Sequence, residues 1–136
     1  MDFALRDHTA DVAVEATAES LSAVFAAVAA GLTAAMAETV PAVGERFSMT
    51  VRAESREALL FDYLDQLIYE RDVRDVLPAA HETEVYDDDG EWVVEASARG
   101  VPLDVVDARE IKAVTYSEME LTETEDGWHA YVVLDV

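Results

Sequence analysis

A chain of 136 residues, 51% of them hydrophobic, is long enough to bury a core and is expected to fold as one domain over residues 1–136. Thirty acidic residues against nine basic ones give a net charge of −21, which argues against direct nucleic-acid binding, because phosphate contacts need clustered Lys and Arg. The absence of cysteine excludes disulfides and thiolate zinc sites, and no apolar run approaches the about 20 residues that span a bilayer.

The quality of the charge is as informative as its size. Lysine occurs once, at Lys112, and the arginines are dispersed from Arg6 to Arg109. An acidic, lysine-poor surface on an ordinary core is expected of a protein from a high-salt cytoplasm. There the Debye length falls to roughly 3 Å at 1 M and neighbouring carboxylates barely repel one another. The N-terminus lacks a basic stretch followed by an apolar one, so a soluble, cytoplasmic protein without a signal peptide is expected.

In chain order, a short strand is expected near Phe3–Leu5 and a second over residues 12–18, "VAVEATA". Ser20 is placed to cap the helix "LSAVFAAVAAGLTAAMAE", which is apolar nearly all round and so should be buried on more than one side. "RFSMTVRAE" alternates, with Phe47, Met49, Val51 and Ala53 on one face of a half-buried strand. Ser55 then caps a second helix whose Leu59, Leu60, Tyr63, Leu64, Leu67 and Ile68 form one stripe. From His81 onward the pattern is β: a hairpin around "DDDG", an extended "EIKAVTYSEMELTE", and a turn at "EDGW" into "HAYVVLDV". The expected fold is α+β, a mostly antiparallel sheet with two main helices packed on it.

Among candidate sites, five isolated glycines cannot build a phosphate-cradling loop, and no GxSxG elbow is present. "DDDG" lacks the alternating spacing of a calcium loop and reads as a hairpin turn. "DHTAD", residues 7–11, sets two carboxylates around His8 and Thr9 just before a strand. At the other end, Asp135 and the carboxylate of Val136 put negative groups at a strand end, which on its own reads as a frayed, solvated terminus.

"DHTAD" followed by a strand, "LLFDYLDQLIY" on the second helix, "KAVTY", and a chain ending "VVLDV" together resemble the archease family, in order, over residues 7–136. The resemblance implies a non-enzymatic accessory protein of the RtcB-type RNA ligase of tRNA splicing. Such a protein promotes guanylylation of the ligase, sustains multiple turnover and broadens nucleotide use. It implies a divalent cation bound by Asp11 and Asp135, with Val136 adding an oxygen. Carboxylate and main-chain oxygens suit Ca²⁺, Mg²⁺ or Mn²⁺. Asp7 then reads as a turn or capping residue. His8 would orient a ligand or the partner, or make a structural hydrogen bond. The lone Lys112 belongs to the "KAVTY" motif and would face partner or nucleotide, where a compact ammonium differs from a guanidinium fork. Ser117 stands where relatives often carry histidine, Tyr63 where tryptophan is common, and Gln66 where glutamate is common. The competing expectation is a chaperone-like modulator of RNA-processing enzymes such as tRNA methyltransferases. A metal-dependent hydrolase is a third, with no nucleophile or base beside the expected metal to favour it.

Overall fold

The two helices form where their caps stand. In the computed structural model, which describes residues 2–8 and 11–136 (the backbone alone at 2, 6, 7, 8 and 11), α1 spans Leu21–Met36 and α2 spans Arg56–Arg74. The Ser20 hydroxyl accepts from the Ala23 N–H at 3.0 Å and the Ser55 hydroxyl from the Ala58 N–H at 3.1 Å. Each satisfies one of the amides that the first helical turn leaves without a partner. Every residue of the expected α2 stripe, from Leu59 to Ile68, is buried.

Strands β1 (Asp2–His8), β2 (Asp11–Ala18), β3 (Glu45–Ala53), β4 (Val76–Asp88), β5 (Glu91–Pro102), β6 (Ala113–Thr124) and β7 (Gly127–Asp135) complete the regular structure, with a 3-10 turn at Leu103–Val105. They form two antiparallel sheets, in the orders β1-β2-β7-β6 and β3-β5-β4. The α+β class and the antiparallel pairing are as expected. The strands, however, divide between two sheets, and both helices contact both: α1 meets β1, β2 and β7 on one side and β4 on the other, and α2 meets β6 and all of β3, β4 and β5.

That arrangement explains why α1 has no polar face. Val24, Phe25, Ala27, Val28, Ala29 and Leu32 are all buried, since a helix between two sheets has little solvent side left. Gly31 lets α1 approach β2 closely, because a Cβ there would overlap the Val14 side chain. Arg56, the first residue of α2, lies 5.5 Å from the Trp92 ring of one sheet and 5.1 Å from the Trp128 ring of the other. One guanidinium thus ties the two sheets together through their aromatic faces.

Three local differences from the sequence expectation have physical reasons. β4 begins at Val76, five residues before His81, because Pro78 sits in an edge strand, where a missing N–H costs no ladder bond. Its pairing slips between Ala79 and Glu82, with Ala80 at φ 50, so the alternation that signals a strand is interrupted. Asp7 lies in β1 opposite Val12 and is therefore a strand residue, not a turn or cap. The "DDDG" segment does form the expected turn. Asp89 and Gly90 both have positive φ, as a two-residue I′ connection requires, and the Asp87 carboxylate accepts from the Gly90 N–H at 3.1 Å.

Candidate functional site

The two ends of the chain meet at one end of the four-stranded sheet. Strand β7 lies between β2 and β6, and its last residue, Asp135, has Asp11 as its register partner on one side and Ala113 on the other. His8, at the end of β1, pairs in turn with Asp11. The Lys112 N–H donates to the Asp135 carbonyl at 2.8 Å, which fixes the start of β6 against the end of β7. The backbones of His8, Asp11, Lys112 and Asp135 are thereby brought to one edge. The side chains of His8 and Asp11, together with Thr9 and Ala10, lie outside the described residues.

Register follows from the apolar residues just inside that edge. Val12 pairs with Leu134, and Leu134 with Val114; Leu134 and Val114 are buried. A slip of one residue would turn this set away from the core, so the same pairing that buries it sets Asp135 beside Asp11. Asp135 and Val136 are half-buried, and Val136 packs against the core, so the C-terminus is anchored where a frayed end was the plain reading. Lys112 is exposed.

Arg109 holds this edge to α1, a part that sequence reading missed. Its Nε donates to the Ala35 carbonyl and its backbone N–H to the Met36 carbonyl, both at 2.7 Å. These carbonyls belong to the last turn of α1, which has no helical donors of its own. The interaction also anchors the segment that leads into Lys112, and it borders an open cleft of about 850 Å³ between the end of α1 and residues 105–109. A basic residue outside any regular element was the available signal, and sequence alone does not say which helix end it would meet.

The remaining histidines are elsewhere. His129 pairs with Glu15 across β7 and β2 at 3.0 Å. His81 lies between α1 and β4, with Nε2 2.7 Å from the Thr33 hydroxyl. Burial, reinforced by the charge of Arg46, lowers its pKa to about 4, so it is neutral at physiological pH. Tyr63, where tryptophan is common in the resembling family, is fully buried, and burial pushes its phenol far above its ordinary value. Gln66 donates to Glu70 at 2.8 Å, and Arg74 donates to the same carboxylate at 2.6 Å, a ladder along α2. Ser117 is exposed in an irregular part of β6.

Strand pairing sets the backbones of two aspartates side by side, next to Val136 and an exposed lysine, and carboxylate and main-chain oxygens are as a class the hard donors that divalent cations take. Among the described residues no group of three or more His, Asp or Glu side chains is clustered to hold a metal. No helix among the described residues is long and apolar enough to cross a membrane.

Comparison with known proteins gives one answer throughout. The family model described as the Archease protein family (MTH1598/TM1083) matches residues 3–136. Protein archease of Methanosarcina barkeri is 31% identical over 135 residues, covering 96% of this chain and 92% of its own. That of Pyrococcus furiosus is 26% identical over 136 residues, covering 96% and 95%. The solution structure of Methanobacterium thermoautotrophicum protein 1598 superimposes with a TM-score of 0.85 at 28% identity, covering 98% of both chains. The crystal structure of a Thermotoga maritima archease, described as a "possible chaperone", shares the fold with a TM-score of 0.65 at 21% identity, over 96% of this chain and 94% of that one. With the family model matched over nearly the whole chain and the same two-sheet architecture behind it, this chain belongs to the archease family.

Proposed function

We propose that this archease is a non-enzymatic activator of an RtcB-type RNA ligase in tRNA splicing. In this reading it promotes guanylylation of the ligase, sustains its multiple turnover and broadens its nucleotide use. The observation that carries the reading is the pairing of Asp11 with Asp135 at the sheet edge where Lys112 also hydrogen-bonds Asp135. Directly opposed residues of an antiparallel pair have Cβ atoms about 4.5–5.5 Å apart, a separation that two carboxylates can close on one ion.

Asp11 and Asp135, with an oxygen of Val136, would hold Ca²⁺, Mg²⁺ or Mn²⁺. So few protein ligands leave coordination positions for water or for groups of the ligase and its nucleotide. When bound, the cation supplies electrostatic stabilisation of phosphate charge. The chain's own residues do the rest. The β2–β7 ladder pairs the backbones that carry the two aspartates, and Arg109 ties the approach to Lys112 onto α1. Lys112 would present a compact ammonium to partner or nucleotide, and His8 would orient a ligand or the partner. The acidic surface is read as an adaptation to molar salt, and the protein is assigned to the cytoplasm.

The test is a ligase guanylylation assay with and without this protein at molar KCl. An activator raises the single-turnover rate of well-folded ligase. The second reading, a chaperone-like modulator of RNA-processing enzymes, is suggested by the description of the Thermotoga relative. It predicts a change only in the soluble fraction of the target, with the rate per folded ligase unaltered. Release of phosphate by this protein alone would instead point to a hydrolase.

A further inference from the structure

Tyr116 stacks on Phe61 with ring centroids 4.0 Å apart and planes 6° from parallel, yet it remains 56% exposed. Strand β6 explains both facts. It is an edge strand whose pairing with β7 loses register between Thr115 and Glu120, with Glu118 at φ 61. Such a bulge re-aims the side chains it carries. Tyr116 covers Phe61 of α2 with one ring face, which leaves the opposite face free of that stack. Asp62 follows Phe61 on α2 and is exposed. Partial burial and then the charge of Asp62 hold the Tyr116 phenol above its ordinary value, so the carboxylate is within electrostatic reach of the ring.

Elsewhere in the chain, three aromatic rings are covered by arginine. Arg56 serves Trp92 and Trp128, and Arg74 lies 4.5 Å from the Phe47 ring. Among the described residues no arginine lies over Tyr116. An aromatic face beside a carboxylate selects a planar cation that can stack and donate at once, which favours a guanidinium over an ammonium. RNA is disfavoured by an acidic rim and a net charge of −21, and a second copy carries the same charge.

We propose that the outer face of Tyr116, backed by Phe61 and flanked by Asp62, is a docking platform for an arginine side chain of a protein partner. This rests on the ligase reading for the partner's identity. The four residue steps from Lys112 to Tyr116 reach at most about 14 Å. A standard interface of about 800 Å² per partner is about 30 Å across, so one footprint takes in both the acidic edge and the platform.

Titration calorimetry against an RtcB-type ligase in molar KCl tests the platform. Tyr116→Ala should weaken binding about tenfold, Asp62→Asn about threefold, and Tyr116→Phe less than about twofold, because the ring face and not the hydroxyl does the binding. Guanylylation at saturating Tyr116→Ala protein should match the wild type, since the platform docks and does not touch the reacting groups. Unchanged affinity of Tyr116→Ala overturns the proposal, as does a Phe variant as weak as the Ala variant. If the wild-type protein fails to bind ligase, the ligase reading fails, and the platform is judged by NMR at the Tyr116 ring. N-acetylarginine amide should then shift those resonances more than its lysine counterpart, and Tyr116→Ala should abolish any arginine preference elsewhere in the spectrum. No preference overturns the platform. Binding of an RNA oligonucleotide, or self-association lost in Tyr116→Ala, would overturn it in favour of a different occupant.

Discussion

Asp11 and Asp135, from opposite ends of the chain, are direct partners in the β2–β7 ladder. If they share a cation, adding Ca²⁺ or Mn²⁺ should raise the melting temperature by mass action on the folded state. Asp11→Ala and Asp135→Ala should each abolish that shift. The double variant should add little, because either carboxylate alone holds the ion poorly. Extending the chain past Val136 should also weaken binding if the terminal carboxylate is the third ligand. Metal-dependent shifts retained in both single variants would remove the shared site.

Lys112 separates chemistry from stability. It is exposed, and its hydrogen bond to Asp135 comes from the backbone, so Lys112→Ala should change stability by less than about 0.5 kcal/mol. Ligase activation should nonetheless fall. Lys112→Arg should also be impaired, since a weakly hydrated fork does not replace a point charge. Full activation by both variants would make the lone lysine an accident of composition.

The local parts of this structure were legible in the sequence because their signals are local. Ser20 and Ser55 cap the helices as their positions suggest, the Leu59–Ile68 stripe is buried, and "DDDG" turns. The non-local parts were not. Nothing in the spacing of β strands says that β7 will lie between β2 and β6, so the meeting of Asp11 and Asp135 came from family resemblance and not from pattern. β7 reads as alternating, yet Val132, Val133 and Leu134 are all buried, with Val133 flanked by its register partners Ala13 on β2 and Thr115 on β6. The bulge that presents Tyr116 was hidden for a related reason. "EIKAVTYSEMELTE" carries no glycine or proline to mark a break, and the break comes from pairing with β7.

His81 makes a distinct contribution to acid sensitivity. The Thr33 hydroxyl has one hydrogen, and the Pro78 carbonyl at 2.8 Å can only accept it, so His81 Nε2–H donates to Thr33 and Nδ1 stays bare. The charged groups facing the ring are Arg46 from β3 and Arg99 from β5, with Glu82 beside it on β4 paired to Arg46. The folded pKa of about 4 lies below the unfolded value of 6.5, so the unfolded chain binds the proton more readily between them. Stability from this group is full above about 6.5 and is lost as pH falls towards 4, on the order of 3 kcal/mol in all. His81→Gln, which keeps a donor but cannot titrate, should fall less steeply than the wild type between those limits in denaturant titrations. Parallel curves would show that His81 does not govern this window.

Salt tests the charge itself. Nine basic residues cannot neutralise thirty acidic ones, and several that are paired, such as Arg52 with Asp88 and Glu91, lie on the exposed surface, where ion pairs contribute little. Raising KCl from 0.1 M to 1 M shortens the Debye length from about 10 Å to about 3 Å. That weakens these few attractions and the far more numerous repulsions together, and the repulsions dominate at −21. Relief of about 3 kcal/mol would raise the melting temperature by roughly 10 °C in a domain of this size. The rise should be nearly the same in NaCl if screening is the cause, and it should persist in Asp11→Ala, because the effect belongs to the whole surface and not to the acidic edge. A melting temperature flat across this range would remove the halophilic reading while leaving the archease assignment and the ligase proposal intact.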